Sequence, residues 1–172
     1  MSRASRTAVG VVTLVVLAAA AAAAAFFWHR EQGKVDKADR REKALVDATA
    51  AAAKDIPLFA NFSYDTLDAD KVRGKTVLTP AFAAKYEQLF GALIQTAQQR
   101  KATVTEQVQD AQPVDVTPAG DEVTVLTFFE QSAKFGDGAP DKFQPLQYQL
   151  TMKRIGSGSK AAWLVDDIQV VQ

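Results

Sequence analysis

Histidine occurs once in this chain, as His29, and cysteine does not occur at all. A Ser-His-Asp triad, a Cys-His pair and a histidine- or thiolate-based metal site therefore have nothing to be built from. Disulfides and iron–sulfur clusters are excluded with them. Among the carboxylates, Asp65, Asp68 and Asp70 are spaced somewhat like a calcium loop, but the glycine and the distal glutamate of such a loop are missing. Asp166 and Asp167 are adjacent; on a strand, neighbours point to opposite faces and do not share a proton. One is expected to face solvent and the other to end a hydrogen-bond network. Gly156 and Gly158 lack the Gly-Lys-Ser/Thr that completes a phosphate loop. What survives is a buried acid beside a tyrosine in an apolar pocket, for which Tyr64, Tyr148 or Asp167 could serve. Nothing in their spacing selects them, and tyrosines at the edge of a core are the simpler reading. The expectation is a non-enzyme with no catalytic, cofactor-binding or metal-ligating residue.

Composition narrows the class further. The 172 residues carry 20 basic and 20 acidic side chains, a formal net charge of zero. Nucleic-acid binding draws most of its affinity from counterion release and leaves a basic excess or stripe; neither is visible, so no nucleic-acid partner is expected. Without the N-terminal hydrophobic run about 140 residues remain, the size of one domain with one core.

That run, Ala8 to Trp28, has no charge and includes eight consecutive alanines, Ala18 to Ala25. At about 1.5 Å per residue it makes roughly 31 Å of helix, the thickness of a bilayer core. Trp28, His29 and Arg30 sit where an interfacial anchor lies. The competing reading is a cleavable signal peptide, since Ala23-Ala24-Ala25 satisfies a small-x-small rule. The length and the bulky Phe26-Phe27-Trp28 end favour an uncleaved anchor. Orientation is open on charge alone. Arg3 and Arg6 precede the run, whereas Arg30, Lys34, Lys37, Arg40, Arg41 and Lys43 follow it.

Glu31 to Lys54 is rich in Ala, Lys, Arg, Asp and Glu. Val35, Ala38, Glu42, Leu45, Thr49 and Ala52 fall at heptad-like spacing. The pattern predicts a solvated helical stalk ending at a break, Ile56-Pro57. Phe62-Ser63-Tyr64-Asp65 reads as a helix start, with Ser63 as N-cap and Phe62 stapled to Leu67. Asp65, Asp68 and Asp70 lead that helix; Lys71, Arg73 and Lys75 trail it, as the helix dipole favours. Thr79-Pro80 is a stronger start, followed by Phe82, Tyr86, Leu89, Phe90, Leu93, Ile94 and Ala97 on one helical face.

The period then changes from 3.6 to 2. Ala102 to Gln109 alternates around Val104 and Val108, and Pro118-Ala119-Gly120-Asp121 is a turn. Val123 to Glu130 is β-rich on both faces and so central. Leu146, Tyr148, Leu150 and Met152 alternate with Gln147, Gln149, Thr151 and Lys153, a half-buried strand. Gly156 to Ser159 turns the chain into a last strand, Trp163 to Val171. Helices followed by strands at hairpin spacing predict an α+β fold. The expected division is a tail over 1–7, a transmembrane helix over 8–28, a helical stalk over 29–56 and, over 57–172, helices packed on a curved antiparallel sheet of about four strands.

Four stretches carry a family resemblance: Phe62-Ser63-Tyr64-Asp65-Thr66-Leu67-Asp68, Leu78-Thr79-Pro80-Ala81-Phe82, Val123 to Gln131, and Trp163-Leu164-Val165-Asp166-Asp167. In order and spacing, over about residues 30–172, the chain resembles the Mce-associated membrane proteins of actinobacteria. It departs from them at Gly156-Ser157-Gly158-Ser159-Lys160, in place of a tighter Asp-Gly turn, and at Glu130, in place of asparagine before Gln131. The resemblance implies a cystatin- or NTF2-like cone of the VirB8 kind. It implies an accessory subunit supporting the assembly or stability of an Mce transporter, an ATP-driven importer of lipids such as fatty acids or sterols. Its partners would be Mce transporter subunits in the membrane and envelope, with lipid as a candidate ligand. It also implies single-pass topology in the cytoplasmic membrane, N-terminus inside and domain outside. Two other readings stand beside this one: a lipid-binding module using the cone's pocket, and a VirB8-like scaffold of another envelope machine.

Overall fold

The computed structural model describes residues 37–171. The hydrophobic segment 8–28 and the first part of the expected stalk lie outside the described residues. Among those described, no helix is long and apolar enough to cross a membrane. A division of the chain falls between Arg40 and Arg41, and the fold described is that of the unit Arg41–Gln172.

Residues 37–60 are helical (α1). The seam is not the heptad-like one: Ala44, Ala48, Ala52 and Ile56, every fourth residue, are buried, followed by Phe59. Alanines at this spacing stack on one face and let the helix backbone approach the core closely. From Ala44 on, the expected stalk is thus part of the packed domain, which reaches back before residue 57. The expected break at Ile56-Pro57 is also absent. Pro57 removes one backbone donor, but the helix end beyond it is held by tertiary partners. Arg73 donates from Nε to the Leu58 carbonyl (3.1 Å) and from Nη2 to the Asn61 carbonyl (2.6 Å). Tyr86 donates its hydroxyl to the Phe59 carbonyl (2.9 Å). Carbonyls that a helix end leaves open are satisfied from outside.

Ser63 does not cap a helix. Phe62–Ser63 forms a two-residue strand (β1) on Thr103 and Val104, and α2 spans Leu67–Lys75 with Thr66 at its N-cap. The side chain that organises this start is Asp70, buried in the first turn. It accepts from the Ser63 N–H (2.9 Å) and the Thr66 hydroxyl (2.8 Å), and it pairs with Arg73. Asp68 and Asp70 lead the helix and Arg73 and Lys75 end it, the order read from the sequence.

Helix α3, Pro80–Arg100, starts where Thr79-Pro80 placed it; Thr79 Oγ1 accepts from the Phe82 N–H at 3.3 Å. Its buried stripe is Phe82, Ala83, Tyr86, Phe90 and Ala97, rotated toward Ala83. Leu89, on the expected face, is 67% exposed, and Leu93 is exposed too. Thr79 has a second task, since its hydroxyl donates to Asp166 Oδ1 at 2.7 Å. Thr79→Ala is expected to cost about 1 kcal/mol, the worth of an N-cap. Thr79→Ser, which keeps both bonds, should cost less. Urea unfolding checks this, and equal losses for the two variants would count against the cap.

The sheet continues with β2 (Ala102–Val116), β3 (Glu122–Phe135), β4 (Lys142–Ile155) and β5 (Ala162–Val171). All neighbours are antiparallel, in the order β1-β2-β3-β4-β5, so β3 is central as its two-sided β character required. Strand β2 runs past Gln109 to Val116 with register shifts at Val108/Asp110 and Pro113/Asp115; proline is tolerated at such irregularities in an outer strand. Val77 to Thr79 adds to the far edge of the sheet through Leu78, which bridges Val165 in parallel. The alternation is strict along β3: Val123, Val125, Thr127 and Phe129 are buried and their neighbours are not. Of these, Val123 and Val125 join Leu150, Met152 and Val165 in one core under α1 and α3.

Candidate functional site

On the core-facing side of the sheet, residues 102, 104, 106 and 108 of β2 share one phase, and the third of them is Glu106. The register sets Glu106 opposite Gln131 on β3, and Gln131 opposite Gln144 on β4. Three polar side chains thus form a row across three strands. Gln131 Nε2 donates to Glu106 Oε1 (2.8 Å), and Gln144 Nε2 donates to Gln131 Oε1 (3.1 Å). Tyr148, four residues along β4 from Gln144 and on the same face, donates its hydroxyl to Glu106 Oε1 (3.2 Å). Its ring lies 4.3 Å from that of Phe129, and its backbone carbonyl accepts from the Thr127 hydroxyl (3.1 Å). From the end of α1, Asn61 Oδ1 accepts the Glu106 N–H at 2.6 Å.

Glu106 is 4% exposed, and its Oε2 is buried without a hydrogen-bond partner. Burial raises its pKa, against the pull of the bonds from Gln131 and Tyr148. The Tyr148 hydroxyl is raised as well, by burial first and then by the charge of Glu106. Truncating the acid is expected to be worse than neutralising it. Glu106→Ala leaves the half-buried Gln131 and Tyr148 donors unpaired and should cost about 2 kcal/mol. Glu106→Gln keeps an acceptor for both and should stay within about 1 kcal/mol of the parent. Chemical denaturation at neutral pH distinguishes them; equal losses would show that the bonds do not matter.

Larger spaces lie elsewhere. A cleft of about 710 Å³ between α1 and β2 is lined by Leu45, Thr49, Val108, Ala111 and Pro113 among others, and Thr49 Oγ1 in it has no partner. A groove of about 540 Å³ is lined by Phe128, Pro145 and Val171 among others. Glu106 lines neither.

The residues singled out in the sequence do not converge. Tyr148 belongs to the Glu106 cluster, Tyr64 is exposed beside a shallow cleft at the start of α2, and Asp167 faces Lys85 of α3 at 3.8 Å. Asp166 receives the Thr79 bond and lies 3.7 Å from Lys153. The strict opposition expected of Asp166 and Asp167 is broken by a register shift between β4 and β5, which leaves Asp166 without a cross-strand partner. Both carboxylates reach the start of α3 as a result, each on its own partner. Glu106 and Asp55 were missed. The available signal for Glu106 was a charge at an apolar phase position, flanked by Val104 and Val108.

No protein-family model and no curated protein matches the chain. Solved structures do. It is similar to CagV, a VirB8 homolog of the type IV secretion system of Helicobacter pylori, with 16% identity over 74% of this chain and 96% of that one and a TM-score of 0.56. An IcmL-like type IV secretion system protein of Legionella pneumophila gives 12% identity over 72% and 88% of the two chains and a TM-score of 0.58. The Agrobacterium tumefaciens VirB8 protein gives 12% over 75% and 92%, with a TM-score of 0.51. The likeness is one of fold: an α+β unit similar to these VirB8-like proteins.

Proposed function

We propose that this protein is a non-enzymatic scaffold subunit of a multi-protein machine of the cell envelope. The observation that carries the reading is the VirB8-like fold, matched over about three quarters of the chain by secretion-system proteins. The internal use of the polar side chains agrees with it: Asp70, Asp166, Glu106 and Tyr148 are each bonded to residues that hold elements together. The hydrophobic segment 8–28 would anchor the unit in the cytoplasmic membrane, with the domain outside. A reporter fused to the C-terminus should then be active only on the outer side, and activity confined to the cytoplasm would overturn that topology.

The finer reading, an accessory subunit of an Mce-type lipid importer, rests on the resemblance at residues 62–68, 78–82, 123–131 and 163–167. Purification of the native protein with its partners tests both levels. Recovery of Mce subunits supports the importer. Recovery of secretion-system subunits keeps the scaffold and replaces the importer. Deletion should lower the abundance of neighbouring subunits; unchanged abundance and unchanged lipid uptake would remove the importer reading. The apolar cleft between α1 and β2 favours one second reading, a lipid-binding module, and native mass spectrometry without any bound lipid would count against it.

A further inference from the structure

The outer face of the sheet, turned away from the helices, carries an exposed aromatic between two opposite charges. Phe143 on β4 is 74% exposed. It stands opposite Ser132 on β3, and Ser132 stands opposite Thr105 on β2. On the same outer phase of β3, Glu130 lies two residues before Ser132 and Lys134 two residues after it. Both are exposed, and neither has an ion-pair partner among the described residues. The surface beside Phe143 is concave, a groove of about 330 Å³ lined by Thr105, Gln107, Glu130, Ser132, Phe143 and Pro145. Glu130 and Pro145 also line the groove of about 540 Å³ that runs on to Phe128 and Val171.

We infer that this face is a self-association surface whose occupant is a second copy of the chain, packed sheet to sheet about a twofold axis through the Ser132–Phe143 row. The argument is charge complementarity. Glu130 and Lys134 are separated by about 13 Å, at about 3.3 Å per residue, with Ser132 midway. A twofold axis in the interface, perpendicular to the strands at Ser132, sets Glu130 of each copy over Lys134 of the other. It also brings the two Phe143 rings together at the centre. Two sheets stacked at about 10 Å leave room for both contacts. A surface with a negative and a positive group equally spaced about one aromatic matches its own copy, the condition for an isologous interface. A partner patch of a single sign would match only half of it.

The absence of cysteine makes the test clean, because a single introduced thiol can be bridged only to another molecule. The full chain carrying Ser132→Cys, in the membranes of the cells that produce it, is treated with a short bis-maleimide. The same chain carrying Leu89→Cys, exposed on α3, is the control. A band of twice the chain's mass is expected for S132C and not for L89C. Adding Lys134→Glu to S132C should reduce that band to the control level. Adding Glu130→Lys as well, which exchanges the two charges, should restore it. Adding Phe143→Ser should weaken it with the fold intact by circular dichroism. A band no stronger than the control, a product with a different protein's mass, or a charge exchange that fails to restore the band would each overturn the inference.

Discussion

Phe129→Ala is expected to lower the unfolding free energy by about 3–5 kcal/mol, the cost of emptying a phenylalanine site in a packed core. Phe129 is the largest of the fully buried side chains, on the central strand, and it packs against Tyr148. Its removal therefore leaves a cavity and also frees the ring that orients the Tyr148 hydroxyl toward Glu106. The neighbouring Phe128 points to the outer face and is half-buried, so Phe128→Ala should cost only on the order of 1 kcal/mol, the apolar area it returns to water. Urea titration of both variants measures the difference. The midpoint should fall far more for Phe129→Ala at an unchanged slope, and equal midpoints would contradict the placement of the core on this side of the sheet.

The second large effect is a pH dependence centred on Asp55. This residue is on the core side of α1, 6% exposed, and no hydrogen bond or ion pair is formed by its carboxylate among the described residues. Burial pushes its pKa up to about 6, against a smaller opposing pull from Lys54. The sign follows from linkage. Below the unfolded value of 3.8 both states hold the proton. Between that value and about 6 the unfolded chain releases it while the folded chain keeps it, so stability falls as pH rises, and above about 6 the loss is complete. A shift of about two units corresponds to about 3 kcal/mol. Asp55→Asn should be close to the parent in stability near pH 3.5, and more stable by roughly this amount at pH 7. The measurement is the difference between the two pH–stability profiles, in which the other titrating groups cancel. Parallel profiles would remove Asp55 as the cause. A buried, unpartnered carboxylate at the end of the charged stretch in α1 is a stability cost kept in the fold.

The features legible in the sequence were those whose cause lies within a few residues. Thr79-Pro80 starts α3 because the cap acceptor and the pre-set proline are adjacent to the donors they serve. Strand β4 keeps the phase read from Leu146 to Met152 because side chains alternate on a pleated chain whatever packs on it. The Pro118–Asp121 turn contains Gly120 at a φ of 71°, a conformation glycine reaches without strain. The misreadings have a common origin. Ser63 looked like a cap, but strand pairing with Thr103, forty residues away, took its backbone. Ile56-Pro57 looked like a stop, but Arg73, fifteen residues beyond Leu58, holds the helix end. The stripe of α3 was displaced by one residue because the outline of the core, not the list of apolar residues, decides which edge of a wide stripe is covered.

The chemical inventory belongs to the sequence alone: one histidine, no cysteine, balanced charge and a hydrophobic run before a single domain's worth of chain. So do the helix-then-strand order and the phase of the long strands, since both rest on local backbone preference and side-chain alternation. The Glu106 cluster was decided only by tertiary structure. Gln131, whose amide meets the acid, and Asn61, whose side-chain oxygen accepts from the Glu106 N–H, lie 25 and 45 positions from it in the chain. Nothing in the sequence near Glu106 says that a sheet register will set Gln131 beside it and the end of a helix above it. Burial of a charge is a property of what surrounds it, and only the folded chain supplies the surroundings.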